Sequence, residues 1–217
     1  MLSVSKSIFE MNQLEIKTIT KSEAGEIIFP AAVHKIDQDN WNYPIDSEVK
    51  FGMAYDASNL YLKYEVDEMH PKAVCTETNG PVWEDSCVEF FIAFNNAEYY
   101  NLEFNCIGTR LVGLGTSNAD RQWQAKELVE SISIYPSLGQ APLSIENKAT
   151  KWEMDIVIPK AVFGPNVNAF EAGQAYKANF YKCGDKQKQM HFLSWNKIDN
   201  EQPNFHLPAF FGNLKLV

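Results

Sequence analysis

Short runs in which apolar side chains occupy every second position recur along most of this chain and constrain its fold more than any other feature. The clearest are residues 88–94 and 152–158. A period of two is the pattern of a pleated strand. Turn-forming residues such as Asn95 and Asn96 separate the runs, and no long amphipathic helix interrupts them. We therefore predict an all-β fold: a single-domain antiparallel β-sandwich, jelly-roll or immunoglobulin-like, with few short helices.

Individual strands are predicted wherever the alternation is bounded by turn residues or proline. The runs at 49–55 and 60–66 are separated by Asp56-Ala-Ser-Asn59, which predicts a hairpin. Residues 118–126 are polar and predict a short helix or a loop. The predicted strands are residues 14–20, 49–55, 60–66, 87–94, 99–106, 110–113, 129–135, 152–158, 176–182, 192–195 and 211–217.

Length and charge restrict the classes of function. A chain of 217 residues suits one large β-domain, and we predict one domain over residues 1–217, with 1–24 as an N-terminal extension or first strand. The formal net charge of −9 argues against a nucleic-acid partner. No apolar run approaches the roughly 20 residues that span a bilayer, so no membrane insertion is expected. The oligomeric state stays open.

The N-terminal ten residues do not have the pattern of a secretory signal. The protein is therefore expected to be cytoplasmic as given, or extracytoplasmic if a leader was removed. The four cysteines, Cys75, Cys87, Cys106 and Cys183, match no paired zinc motif. We expect buried free thiols, with a Cys87–Cys106 disulfide as the alternative because those two strands are expected to be neighbours.

The segment before the strand at 87–94 carries the first candidate site. Trp83, Glu84 and Asp85 combine an aromatic ring with carboxylates. Such a ring stacks on the apolar face of a pyranose, and carboxylates accept hydrogen bonds from hydroxyls. Trp195 ends a late strand, and if it meets Trp83 the two rings would clamp a sugar. The alternative is that both tryptophans cover the edge of the core and the acids are solvated.

Other chemistries have weaker support in the sequence. Glu84 or Asp85 with Glu89 or Glu103 would form a hydrolase-like carboxylate pair if about 5–9 Å separated them around a cleft. Met69-His70 and Met190-His191 offer haem-ligand types, but neighbours on a strand point to opposite faces. Residues 37–40 could offer oxygen ligands to Ca²⁺ without the spacing of an EF-hand. Gly113-Leu-Gly115 lacks the third glycine of a nucleotide-binding loop.

Six motifs follow one another along the chain: Trp83-Glu-Asp-Ser-Cys-Val-Glu-Phe-Phe-Ile, Tyr100-Asn-Leu-Glu-Phe-Asn105, Trp152-Glu-Met-Asp-Ile-Val-Ile-Pro159, Asn179-Phe-Tyr-Lys-Cys-Gly184, His191-Phe-Leu-Ser-Trp195 and Phe210-Phe-Gly-Asn-Leu214. With these motifs in this order, residues 25–217 resemble the family 9 carbohydrate-binding modules and their relatives in the wider DOMON-like superfamily. The resemblance implies a β-sandwich that binds a mono-, oligo- or polysaccharide between two tryptophans, without catalysis and often in polysaccharide catabolism. Structural calcium is frequent in such modules, so the resemblance allows a calcium ion here, with its ligands unknown, and requires no cofactor.

The resemblance also assigns roles to residues. Trp83 and Trp195 correspond to the stacking tryptophans, and Glu89 to the glutamate that bonds sugar hydroxyls. The family has a basic residue near the position of Glu103, for which Arg110 is a candidate replacement. A carbohydrate-active hydrolase and a DOMON-like haem or redox domain remain the alternatives to simple binding. The predicted ligand-binding residues are Trp83, Trp195, Glu89, Glu103, Asn196 and Arg110.

Overall fold

The computed structural model describes residues 10–217, and residues 1–9 of the expected N-terminal extension lie outside that range. Strands dominate, and the helices are short. The helices are α1 (Lys126–Glu130) and three 3-10 turns, Val82–Glu84, Lys160–Asn166 and Pro208–Phe210. The strands are β1 (Gln13–Thr18), β2 (Thr20–Lys21), β3 (Ile27–Ile28), β4 (His34–Lys35), β5 (Gln38–Asp39), β6 (Ser47–Tyr55), β7 (Asn59–Met69), β8 (Lys72–Ala73), β9 (Cys87–Ala93), β10 (Tyr99–Asn105), β11 (Arg110–Gly115), β12 (Gln122–Trp123), β13 (Ser133–Pro136), β14 (Leu143–Ser144), β15 (Ala149–Pro159), β16 (Ala175–Cys183), β17 (Phe192–Ser194) and β18 (Gly212–Leu216).

Two layers of one curled sheet form the sandwich. The first layer has the strand order β12-β11-β10-β9-β16-β18, and the second has β6-β7-β15-β13. Strand β1 joins them, because it pairs with β18 at one end and with β6 at the other. Both of these pairings are parallel, whereas the β9, β10 and β16 pairings are antiparallel as predicted. The all-β sandwich is confirmed, with β1 as the exception to its antiparallel pattern.

Aromatic side chains fill the space between the two layers. The rings of Phe51 and Phe180 stack across this space with centroids 3.8 Å apart, and Phe90 continues the stack at 5.1 Å from Phe180. Trp152 and Tyr64 are also fully buried here. Each such aromatic removes a large apolar area from water, so this layer contact is the main core of the fold.

The outer face of the first layer is buried as well. Every residue of β9 and β10 is buried, because the segment around the Val82–Glu84 turn and the segment at 198–211 cover this face. Val82, Phe91, Tyr181 and Phe205 form a second apolar cluster beneath these segments. Strands of a half-buried sheet commonly leave one face to solvent, whereas both faces of β9 and β10 are buried.

Most predicted strands are found within a residue or two of their expected ends, and the β6–β7 hairpin is confirmed by its register. The run predicted as a strand at 129–135 begins instead inside α1, and only Ser133–Pro136 pairs. The polar stretch at 118–126 contains the two-residue strand β12 and the start of α1. No helix in the described range is long and apolar enough to span a membrane.

The cysteines are arranged differently from the predicted pairing. Cys87 belongs to the cluster on the outer face of the first layer, whereas Cys106 lies in the core between the layers. The Cys87–Cys106 alternative is therefore wrong, because the two thiols point to opposite faces. Cys183 on β16 is the residue directly opposite Cys87. All four cysteines are free, and Cys75 alone is not fully buried.

Candidate functional site

A cleft of about 290 Å³ opens on the outer face of the first layer. Three strands of that layer supply its floor: Glu89 on β9, Glu103 on β10 and Cys183 on β16. Loops supply the walls. The lining residues are Trp83, Glu89, Glu103, Asn118, Arg121, Cys183, Asp185, Phe192, Pro203, Asn204, Phe205 and His206.

Trp83 stands at the rim of the cleft on the Val82–Glu84 turn, which is held by the neighbouring Asp85. The buried Asp85 carboxylate accepts hydrogen bonds from the Val74 and Cys75 amides at 3.0 and 2.9 Å. It also accepts one from Asn105 Nδ2 at 2.9 Å. This network fixes the turn, while the Trp83 ring remains partly exposed. Asp85, which the sequence offered as a carboxylate of the candidate segment and of the alternative hydrolase pair, is thus a structural anchor for Trp83.

The floor brings together two buried carboxyl groups. Glu89 and Glu103 are directly opposite each other on β9 and β10, as their predicted strand adjacency requires. Burial raises the pKa of Glu103 to about 7, a rise that Arg121 and Asn101 limit. Burial, followed by the neighbouring Glu103, raises the pKa of Glu89 well above its usual range. Two such carboxyls can both donate and accept hydrogen bonds close to neutral pH.

One oxygen of Glu103 has no partner among the described residues. Glu103 Oε1 accepts from Asn101 Nδ2 at 2.9 Å and from Arg121 at 3.3 Å. Its Oε2 is buried without a hydrogen bond in the described part of the chain. Leaving a buried polar atom unsatisfied costs about 1–3 kcal/mol, so this oxygen is suited to accept from a group that enters the cleft.

Arg121 is the cation of the cleft. Its Nη1 lies 3.3 Å from Glu103 Oε1, and its guanidinium is 4.6 Å from the Trp123 ring centroid and 5.9 Å from that of Trp83. Gly115 makes this placement possible, since a Cβ there would come within 2.6 Å of Arg121 Cα. The arginine therefore links the floor of the cleft to its aromatic rim through an ion pair and a cation–π contact.

His206 completes the polar wall. Its Nε2 lies 3.1 Å from Arg121 Nη1 and its Nδ1 lies 2.9 Å from the Tyr99 hydroxyl. Because arginine only donates, Nε2 accepts and Nδ1 carries the proton. Burial and the Arg121 charge lower the pKa of His206 to about 3. The ring is therefore neutral at neutral pH and holds the guanidinium in place.

Trp195 does not line this cleft, which corrects the predicted two-tryptophan clamp. It is 6% exposed and packs edge-on against Phe51 and Phe180 in the core between the layers. Its ring also lies against Gly212, where a Cβ would come within 2.5 Å. Trp83 and Trp195 thus lie on opposite faces of the first layer. The other aromatic side chains that line the cleft are Phe192 and Phe205.

Asn196 and Arg110 are also remote from the cleft. Asn196 is buried, donates to the Phe210 carbonyl at 2.7 Å and accepts from the Asn12 amide at 2.8 Å, so it ties the N-terminal segment to the last loop. Arg110 donates to the Glu130 carbonyl at 3.1 Å. The basic residue beside Glu103 is Arg121, and the sequence does not reveal this because it does not show which loop folds over β10.

The remaining candidates have other environments. Glu84 forms a surface ion pair with Lys186 at 2.7 Å and does not line this cleft. Asp39, a candidate Ca²⁺ ligand, lies on β5, and its carboxylate accepts hydrogen bonds from the Trp41 and Tyr43 amides. His191, one of the haem-ligand candidates, uses both ring nitrogens, toward Lys182 Nζ and the Gln189 carbonyl.

The sequence did not predict the polar wall residues Asp185, Arg121 and His206. Two signals were available in the sequence: a basic and an aromatic residue two positions apart at Arg121 and Trp123, and the pair of glycines at 113 and 115. The glycines lie under Trp123 and Arg121, where a Cβ at Gly113 would come within 3.1 Å of the Trp123 ring.

Comparison with known proteins places this architecture in a family. The sequence profile of carbohydrate-binding family 9 matches residues 28–216. The chain belongs to carbohydrate-binding family 9. A search of the curated proteins finds no match.

Solved structures share the fold of this chain. A candidate carbohydrate-binding protein from Bacteroides uniformis is 36% identical, with a TM-score of 0.86 over 96% of this chain and 100% of that one. A family 9 module from Caldicellulosiruptor kristjanssonii was solved with glucose and with cellotriose. Both structures are 13% identical to this chain. The glucose complex has a TM-score of 0.56 and covers 95% of this chain and 96% of that one. The cellotriose complex has a TM-score of 0.54 and covers 94% of this chain and 93% of that one. At that identity the likeness to the family 9 module shows a shared fold.

Proposed function

We propose that this protein binds a saccharide in the cleft beside Trp83 without cleaving it. The observation that supports this most is the buried Glu103 Oε2, which has no partner within the described range and lines a cleft rimmed by an aromatic ring. A sugar hydroxyl supplies the donor that this oxygen needs, and the ring of Trp83 supplies an apolar face for the pyranose.

Each side chain of the cleft makes a different kind of contact with the proposed sugar. Trp83 stacks on the ring of the sugar, and Glu103 accepts from a hydroxyl. Arg121, which is 13% exposed at its side chain, donates to ring or hydroxyl oxygens through N–H groups not used by Glu103 and His206. The Glu89 carboxyl lines the same floor and provides a further hydroxyl contact.

The size of the cleft favours a short ligand. Pockets for drug-sized ligands measure about 300–1,000 Å³, and this cleft, at about 290 Å³, lies just below that range. The walls formed by residues 203–206 close one side. We therefore favour one or two sugar rings, or the end of a longer chain, over the middle of an extended polysaccharide.

The test is calorimetric titration with a panel of mono- and oligosaccharides. Trp83→Ala removes the stacking face and should weaken binding at least tenfold, since about 1.4 kcal/mol is one factor of ten and stacking adds about 0.5–1.5 kcal/mol to the area that the ring buries. Glu103→Gln keeps the shape of the side chain and should also weaken binding. Glu153→Gln changes an exposed glutamate on the outer face of the second layer and is the matched control. Heat from no saccharide in the panel would overturn the proposal.

The hydrolase alternative uses the same two carboxyls and is tested with the same proteins. Release of reducing ends from any saccharide that binds, lost in Glu89→Gln and Glu103→Gln, would replace the binding proposal by a catalytic one. Binding without any such release is the result expected here.

A further inference from the structure

We propose that Cys87, Glu89 and Cys183 form a binding site for a thiophilic divalent cation, Zn²⁺ in particular, at the floor of the cleft. Cys87 and Cys183 are directly opposite each other on β9 and β16, and Glu89 follows Cys87 on the same face of β9. The two thiol sulfurs and a carboxylate oxygen all lie within 4.8 Å of one another. Cys183 Sγ is 2.9 Å from Glu89 Oε1.

These distances suit tetrahedral coordination. Zn–S bonds of about 2.3 Å and Zn–O bonds of about 2.0–2.2 Å place ligand atoms about 3.4–3.8 Å apart around a tetrahedral ion. The three ligand atoms therefore need only small side-chain rotations to surround an ion. Cys87, Glu89 and Cys183 are 0, 3 and 1% exposed on paired strands, so their backbone positions are fixed in advance.

The charge balance of the floor supports a cation here. Arg121 pairs with Glu103, and Lys182 pairs with Glu68 at 3.0 Å on the other face of β16. Glu89 has no ion pair with another described residue. A buried carboxyl group is costly to ionise without a cation, and a divalent ion bound by Glu89 and two thiolates takes the place of the protons on these ligands. Softness selects the metal, because paired thiolates with a carboxylate favour Zn²⁺ over Ca²⁺ or Mg²⁺.

The position also leaves the ion accessible. Glu89 and Cys183 both line the cleft, whereas Cys87 lies beneath them. With three protein ligands, the fourth coordination position faces the cleft and accepts water or a ligand oxygen, which is the arrangement of an open zinc site rather than a closed structural one. The site does not depend on the proposed saccharide, because the three protein ligands and a water molecule complete the coordination of the ion.

The test is titration of the reduced, chelator-treated full chain with Co²⁺, followed by competition with Zn²⁺. One equivalent of cobalt should produce a thiolate-to-cobalt charge-transfer band that zinc abolishes. Cys87→Ser and Cys183→Ser should remove this band, and Glu89→Gln should weaken binding at least tenfold, since loss of even an indirect ligand support costs about 10–100-fold. Cys75→Ser alters a partly exposed thiol outside the cluster and should leave the titration unchanged.

X-ray absorption of the zinc-loaded wild-type chain tests the ligands without any substitution. Two sulfur neighbours at about 2.3 Å with oxygen neighbours at about 2.0–2.2 Å are expected. Coordination by nitrogen and oxygen alone, the absence of a cobalt band, or a band that persists in both serine variants would overturn the proposal. So would a Cys87–Cys183 disulfide that remains in the protein after mild reduction.

Discussion

Replacing Lys182 by methionine should destabilise this protein strongly, because it leaves a buried carboxylate without its cation. Lys182 on β16 is 0% exposed and its Nζ lies 3.0 Å from Glu68 Oε2 on β7 of the other layer. The same ammonium bonds His191 Nε2 at 2.9 Å, while Trp152 Nε1 donates to Glu68 Oε1 at 2.7 Å. Burial pushes the pKa of Glu68 upward, but Lys182 with the donors Ser86 and Trp152 holds it below its usual range.

The magnitude follows from that geometry. Breaking a buried ion pair by removing one partner costs about 3–5 kcal/mol. For a domain of this size each kcal/mol lowers the melting temperature by about 2–4 °C, so Lys182→Met should lower it by about 6–20 °C. The assay is urea unfolding at pH 7 with thermal unfolding alongside it, and both should report the same loss.

Two comparisons make the ion-pair prediction refutable. Lys182→Met with Glu68→Gln removes both charges and should recover much of the lost stability, since a neutral pair no longer leaves a charge buried. Lys186→Met, the matched surface control, breaks the exposed pair with Glu84 and should cost less than about 1 kcal/mol. If Lys182→Met costs no more than Lys186→Met, or if the double variant is no more stable than the single one, the reasoning is refuted.

Three further predictions concern the core, the acid response and the support of the cleft. Trp195→Ala should cost about 3–5 kcal/mol in urea unfolding while the folded fraction keeps its saccharide affinity; a selective loss of affinity would restore Trp195 to the site. The pKa of His206 is lowered from 6.5 to about 3 in the folded protein. As pH falls, the histidine therefore takes up its proton first in the unfolded chain. The free energy of unfolding, which is highest above pH 6.5, should decrease toward pH 3 by up to about 1.4 kcal/mol per pH unit. In His206→Gln the urea midpoint should depend less steeply on pH between 6.5 and 3. An unchanged slope would contradict the conclusion that His206 is neutral in the folded protein. Asp85→Ala should cost about 2–4 kcal/mol and weaken saccharide binding by calorimetry because it frees the Trp83 turn; unchanged stability would show that Asp85 does not anchor it.

The strand pattern could be predicted because alternation is a local property. Side chains two residues apart share a face of a strand whatever the strand pairs with, so β9, β10 and β16 were found with nearly their observed ends. Local turn chemistry at residues 56–59 also fixed the β6–β7 hairpin. The strand prediction at 129–135 was wrong in its first half because a short apolar run fits one turn of helix as well as a strand.

The site was predicted only in part. Trp83, Glu89 and Glu103 lie together as expected, because their spacing along β9 and β10 is set by the pleat and by strand adjacency. The predicted location of Trp195 was wrong. The sequence pattern indicates an apolar ring near the end of a strand, but it does not indicate which face of the sheet that ring occupies. The neighbouring Gly212 lets the ring turn inward.

The β-sandwich, the family and the aromatic-acidic segment at residues 83–89 can be predicted from the sequence, since each depends on short-range order or on motifs along the chain. Three-dimensional packing sets the burial of Glu89 and Glu103, because segments distant in the chain cover the outer face of the first layer. It also decided that Arg121 and His206, 85 residues apart, meet over Glu103. Such contacts depend on how loops fold across the sheet, and the closing of a loop depends on the whole chain rather than on the residues at its ends.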